Sequence, residues 1–192
     1  NAVPFDKIEL GDYEEAIMEG IRRENEQVEK IINNPDEPTF ENTIIPEDDV
    51  KGRTHYYDLL DRTTTVFFNL LSAESNDDME ALAQKMSPIL TSHANDISLN
   101  PKLFERIKYV HEHHRKLSTE ENMLLERSYD GFVRSGALLD EAGKAKLREL
   151  SEESSKLSLL FSQNLLKENK AFTLDITDEK QLDGLPDTVR EA

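Results

Sequence analysis

The stretch VHEHHRK, residues 110–116, holds three of the chain's five histidines, with a glutamate directly after the first. Two histidines and a glutamate are the makings of a zinc peptidase site. In the H-E-x-x-H motif the histidines sit four apart, so one helical face aims both imidazoles at a single metal. His111 and Glu112 therefore need a histidine at 115, and that residue is Arg115, a permanent cation with no lone pair to offer. His55 and His93 complete no such pair either. His111 and His114, three apart, offer at most an adventitious metal site. The same two residues also extend the apolar stripe Leu103, Phe104, Ile107, Val110 along one side of a helix. They are expected at the edge of a core, with His113 turned to solvent. No catalytic, cofactor-binding or metal-ligating residue is assigned.

Other chemistry fares no better. The acidic clusters EDD at 47–49 and NDD at 76–78 lack the alternating Asp/Asn ladder, glycine and terminal glutamate of a calcium loop. They read as a solvated loop and a helix N-terminus. The seven glycines are scattered, so no phosphate-cradling loop exists, and no nucleophile elbow surrounds any serine. A glycosidase pair cannot be singled out among 40 acidic residues.

The elements that would carry these groups read as helical almost throughout. Asp12 with Glu15 forms a capping-box-like start for the stripe Tyr13, Ile17, Ile21, Val28, Ile31, Ile32, which stops at Asn33-Asn34-Pro35. Thr39 opens a second helix, and Pro46 and Gly52 bracket a polar loop. The run YYDLLDRTTTVFFNLLSAE is helical despite three β-favouring threonines. Ser75 or Asn76 caps the next helix, in which Pro88 should produce a kink or a break. Asn100-Pro101, Ser118 with Glu121, and Asp140 start three more. In the last, Leu147, Leu150, Ser154, Leu157, Phe161 and Asn164 step by three and four, a seam expected to pack inside the domain. Phe172, Leu174 and Ile176 then alternate with polar neighbours, which predicts a short strand at about 171–176 lacking a visible partner. A helix opens at Pro186. The fold class expected is all-α, a multi-helix bundle of long antiparallel helices with that one strand.

Composition excludes several partners. A chain of 192 residues can bury a real core, and a formal charge of −17 repels both nucleic-acid phosphates and anionic membranes. Zero cysteines remove disulfides and thiolate chemistry. No apolar run reaches the length of a membrane span. Asn1-Ala2 reads as an expression scar before Val3. The division expected is 1–2 scar, 3–170 helical domain, and 171–192 leading onward. A cytoplasmic setting is expected, or a periplasmic one with its export signal lying outside these residues.

The ordered phrases PFDKIELGDY, NNPDEPTFENTI, TVFFNLLSAESND, MSPILTSHANDISLNPKLFERIK, GFVRSGALLDEAGKAKLRELSEE, LSLLFSQNLLKEN and LDGLPDTV carry a resemblance. Over nearly all of residues 3–192 the chain resembles the N-terminal helical region of thimet-oligopeptidase-type zinc metallopeptidases, nearest the bacterial peptidyl-dipeptidase and oligopeptidase A branch. PTFENTI and VFFNLLSAE are its most specific pieces. About six extra residues intrude around PEDDVKGRTHYY, where the family passes directly into a helix.

The resemblance implies a parent with two helical lobes flanking a narrow channel that admits short unfolded peptides. It places zinc, the H-E-x-x-H helix and a downstream glutamate ligand in the part beyond this chain, so no family site residue falls on any position here. There the metal would polarise the peptide carbonyl and its water, with the motif's glutamate as base. This chain would be the non-catalytic lobe, partnered by the rest of the same polypeptide, inactive alone and exposing an apolar patch where that partner sits. The alternative is a stand-alone acidic helical interaction module.

Overall fold

The computed structural model describes residues 3–50, 59–114 and 116–190. Helix α1 spans Leu10–Ile32. It starts three residues before the expected point, because the Glu9 N–H donates to the Asp12 carboxylate at 2.8 Å. Thr39 and Asn42 cap each other reciprocally at 2.8 and 3.2 Å to open a π-helical turn, Phe40–Ile44. That turn runs directly into α2, Ile45–Val50. The expected loop from Pro46 is thus helical up to Val50. Residues 51–58, with the rest of that loop, the extra residues and His55, lie outside the described residues.

Helix α3, Leu59–Ala73, holds its threonines by back-bonding, with the Thr64 hydroxyl donating to the Leu60 carbonyl at 2.7 Å. Asn76 caps α4, Asp77–Ser98, which continues unbroken through Pro88. Asn100 caps α5, Pro101–His113, and the Ser118–Glu121 box closes at 2.7 and 3.2 Å on α6, Thr119–Arg134. Helix α6 ends in a Schellman motif: Gly136 sits at φ +93°, with Ala137 N–H bonding Phe132 O and Gly136 N–H bonding Val133 O. That positive φ demands glycine, and a Cβ there would also press on the terminal methyls of Leu147 and Leu139 at 2.6 and 2.9 Å. Asp140 caps α7, Glu141–Ala171, and α8 is the short Asp187–Arg190.

Cross-helix pairs fix the directions. Tyr13 meets Phe67 and Gly20 meets Leu60, so α1 and α3 are antiparallel. Glu80 pairs with Lys167, Gln84 with Gln163 and Asp96 with Arg148, so α4 and α7 are antiparallel. Phe104 stacks on Tyr129 and on Phe132, while His111 stacks on Tyr129, which sets α6 antiparallel to α5. Helices α1 and α4 run parallel, since Glu14 pairs with Lys85 and Glu24 with His93.

Two cores result. One joins the first half of α1 to α3 and α4 through Ile17, Ile21, Phe67, Ala83 and Met86. The other joins the second half of α1 to the π-helical turn, α5 and α6 through Val28, Ile31, Ile44, Leu103, Ile107 and Leu125. Fully burying each large apolar side chain contributes about 1.5–3 kcal/mol. Helix α1 contributes fully buried residues to both cores. Arg106 on α5 fastens the loop after α1, donating to Asn34 O at 2.9 Å and Asn42 Oδ1 at 3.2 Å.

Two expectations fail. The strand at about 171–176 is not formed: helix α7 continues to Ala171, residues 172–178 carry no regular secondary structure, and no strand exists among the described residues. A strand needs a neighbour to satisfy its backbone, and none is supplied. The α7 seam also fails to pack inward. Leu147 is half-buried, but Leu150, Leu157 and Phe161 are exposed, the last two at 55% and 69%. The face of α7 that meets α3 and α4 carries Ser155, Leu159, Gln163 and Leu166 instead.

Candidate functional site

The histidines of VHEHHRK sit at the end of α5, and each is held by structure. His111 is half-buried, stacked on Tyr129 at 4.0 Å and 8°, with Nε2 3.3 Å from the Glu126 carboxylate. His113 is exposed, stacked on Tyr109 at 4.3 Å. His114 is exposed as well, not at the edge of the core as expected, because the helix ends at His113 and its ring folds back to the His111 carbonyl. Arg115 lies outside the described residues.

The acidic clusters are dispersed by their folding roles. Glu47 is buried on α2 and accepts from the Ser128 hydroxyl at 2.9 Å, and Asn76 is spent as a helix cap. Among the described residues, no group of three His, Asp or Glu could hold a metal ion. These residues do not fit a zinc centre.

One buried polar pair escaped the sequence reading. His93 on α4 places Nε2 2.7 Å from Glu24 Oε2 on α1, and His93 is only 7% exposed. The pair lies between the two cores, at the wall of a cleft of about 510 Å³ whose lining includes Leu60, Thr64, Leu90, Ile97 and Phe132. A signal was present. Glu24 stands at its turn in the apolar series Ile17, Ile21, Val28, Ile31, and His93 does so between Leu90 and Ile97. Polar residues in core register require buried partners, and these two supply each other.

A larger cleft, about 660 Å³, opens between α3, α4 and α7. Gln163 is among its lining residues, and α7 is joined to α4 by the Glu80–Lys167 pair at 3.0 Å and to the α3–α4 connection by the Lys170 Nζ to Ser75 O bond at 3.1 Å. Glu80 is held below the usual carboxylate range chiefly by the hydrogen bond from Lys167, with Ser75 assisting against the cost of burial. On the far side of α7 the stripe Leu150, Leu157, Phe161 runs toward Phe172 and Leu174, all exposed.

No helix of the described residues is long and apolar enough to cross a membrane. No family model matches the chain. Individual relatives do. Dipeptidyl carboxypeptidase of Escherichia coli (strain K12) is 36% identical over 183 residues, 94% of this chain and 26% of that protein. Organellar oligopeptidase A of Arabidopsis thaliana is 24% identical over 191 residues, 95% of this chain and 22% of the relative. Oligopeptidase A of E. coli K12 is 22% identical over 191 residues, 98% of this chain and 27% of its own length. The chain spans about a quarter of the length of the curated relatives it matches. On these matches over nearly its whole length, the chain belongs to the thimet-oligopeptidase-type peptidase family that includes dipeptidyl carboxypeptidase and oligopeptidase A.

Proposed function

We propose that this chain is the non-catalytic helical lobe of a zinc-dependent peptidyl-dipeptidase or oligopeptidase, forming one wall of a channel for short peptides. The relatives are peptidases by name, and each is about four times as long as the segment matched. The observation that carries the reading is the outward stripe of α7. Leu150, Leu157, Leu160, Phe161 and Leu165 are all exposed on a 31-residue helix whose inner face is already packed. An apolar face of that length marks an interaction surface. The occupant is the remainder of the same polypeptide, reached through residues 172–178, which lie outside any helix. The parent works in an aqueous compartment, for which the cytoplasm is our choice, and zinc would be held by that remainder.

The test is to assay this chain alone and joined to its downstream reading frame, on blocked oligopeptides. Alone it should hydrolyse nothing at any zinc concentration. The longer polypeptide should cleave short peptides and lose that activity to a chelator. Hydrolysis by the 192 residues unaided, or a stop codon directly after Ala192 in the source gene, would overturn the reading.

A further inference from the structure

The α3–α4–α7 cleft contains a polar group that the fold leaves unused. Gln163 is 5% exposed, and its Oε1 accepts from Gln84 at 3.4 Å, but its Nε2 has no partner among the described residues. Turning the amide over only transfers the vacancy to the oxygen. A buried amide group without a partner carries an uncompensated desolvation cost, so a ligand atom that pairs with it recovers that cost.

The rest of the lining selects the ligand. Its lining mixes the aliphatic side chains of Leu71, Leu90, Leu159 and Leu166 with hydroxyls such as those of Ser87 and Ser155. No charged side chain among the described residues lines it. The nearby cations are engaged, Lys167 by Glu80 and Lys170 by the Ser75 carbonyl. An anionic ligand would find no counter-ion, and would meet a chain of net charge −17. A purely hydrocarbon ligand would leave the hydroxyls and the amide dry and unpaired. The volume falls within the range of small-ligand sites, roughly 300–1,000 Å³. What fits is a molecule that alternates amide groups with aliphatic ones.

We propose that this cleft binds a short uncharged peptide segment, with a backbone carbonyl accepting from the Gln163 amide and an aliphatic side chain seated on the four leucines. The choice of peptide over another amide rests on the peptidase-lobe reading above. The geometry of the cleft does not.

The experiment is a titration of the 15N-labelled chain with acetyl-Leu-Ala-Leu-amide, and separately with acetyl-Asp-Ala-Asp-amide, followed by amide chemical shifts. The neutral peptide should give saturable shifts centred on Ser87, Thr91, Ser155 and the Gln163 side chain, and the acidic one none. Gln163→Leu should weaken binding about fivefold, as the loss of one hydrogen bond implies. Ser72→Trp, at an exposed position on the rim, should abolish binding while leaving the fold intact, and so serves if the buried substitution unfolds the chain. Shifts that are absent, that map to the Leu150–Leu157–Phe161 face, or that survive both substitutions unchanged would overturn the proposal. Failure here with an active full-length peptidase would remove the cleft site alone. Binding here with an inactive full-length polypeptide would keep the site and remove the lobe reading.

Discussion

His93 Nε2 lies 2.7 Å from the Glu24 carboxylate, 69 residues away along the chain, and the two close the gap between the molecule's two hydrophobic cores. Removing either partner leaves the other buried with an unmet hydrogen bond. His93→Leu and Glu24→Leu should each cost about 2 kcal/mol. The double substitution should cost less than their sum, because it removes both polar groups from the interior. Urea-unfolding midpoints of the four proteins complete the cycle, and strict additivity would contradict the pairing.

Helices α1 and α3 touch at Gly20, where an added Cβ would lie 2.8 Å from Leu60 Cβ and 3.0 Å from its backbone. Backbone cannot step aside as a flexible side chain does. Gly20→Ala should therefore destabilise by about 1–3 kcal/mol through overpacking, in spite of alanine's better helix propensity. Gly131→Ala on α6 has nothing within 4 Å of the new carbon and should stabilise by about 0.5–1 kcal/mol. Thermal midpoints moving in opposite directions would bear this out.

The two faces of α7 make a paired prediction. Leu159 packs against the α1–α3–α4 core, and Leu159→Ala should cost about 2 kcal/mol or more. Leu157→Ala, two residues earlier on the outward stripe, should change stability by no more than about 0.5 kcal/mol. It should instead reduce binding of an apolar dye. Equal losses of stability at both positions would mean that the seam is buried after all.

Acid should loosen the α4–α7 contact. The Glu80 carboxyl is lowered from 4.5 chiefly by the hydrogen bond from Lys167, so its contribution is present above that unfolded value and is lost as pH falls through the lower folded one. Glu19 on α1, lowered to about 2 by hydrogen bonds from Arg22 and then Arg23, adds a loss in the same direction between 4.5 and about 2. Stability followed from pH 6 to pH 2 should fall across this window. Glu80→Gln should flatten the upper part of the slope, and an unchanged slope would remove the ion pair from the account.

Much of the local chemistry was legible in the chain, although α1 is capped at Glu9 rather than at Asp12. The caps at Thr39, Asn76, Asn100, Ser118 and Asp140 all form as their sequences require, because a cap is decided within four residues. The α7 seam was misread for a physical reason. Its apolar residues form the stronger stripe, yet the inner face is built of serines, Leu159 and Gln163. Periodicity names an apolar face but not its partner.

The sequence by itself determined most of the helix caps and the apolar stripes of the helices, because each is settled by short-range geometry. Tertiary structure alone decided that Glu24 meets His93, that Gln163 is enclosed without a full set of hydrogen bonds, and that Leu157 faces outward. Those outcomes depend on which helix lies against which, and that is fixed by the burial of the whole chain rather than by any one segment.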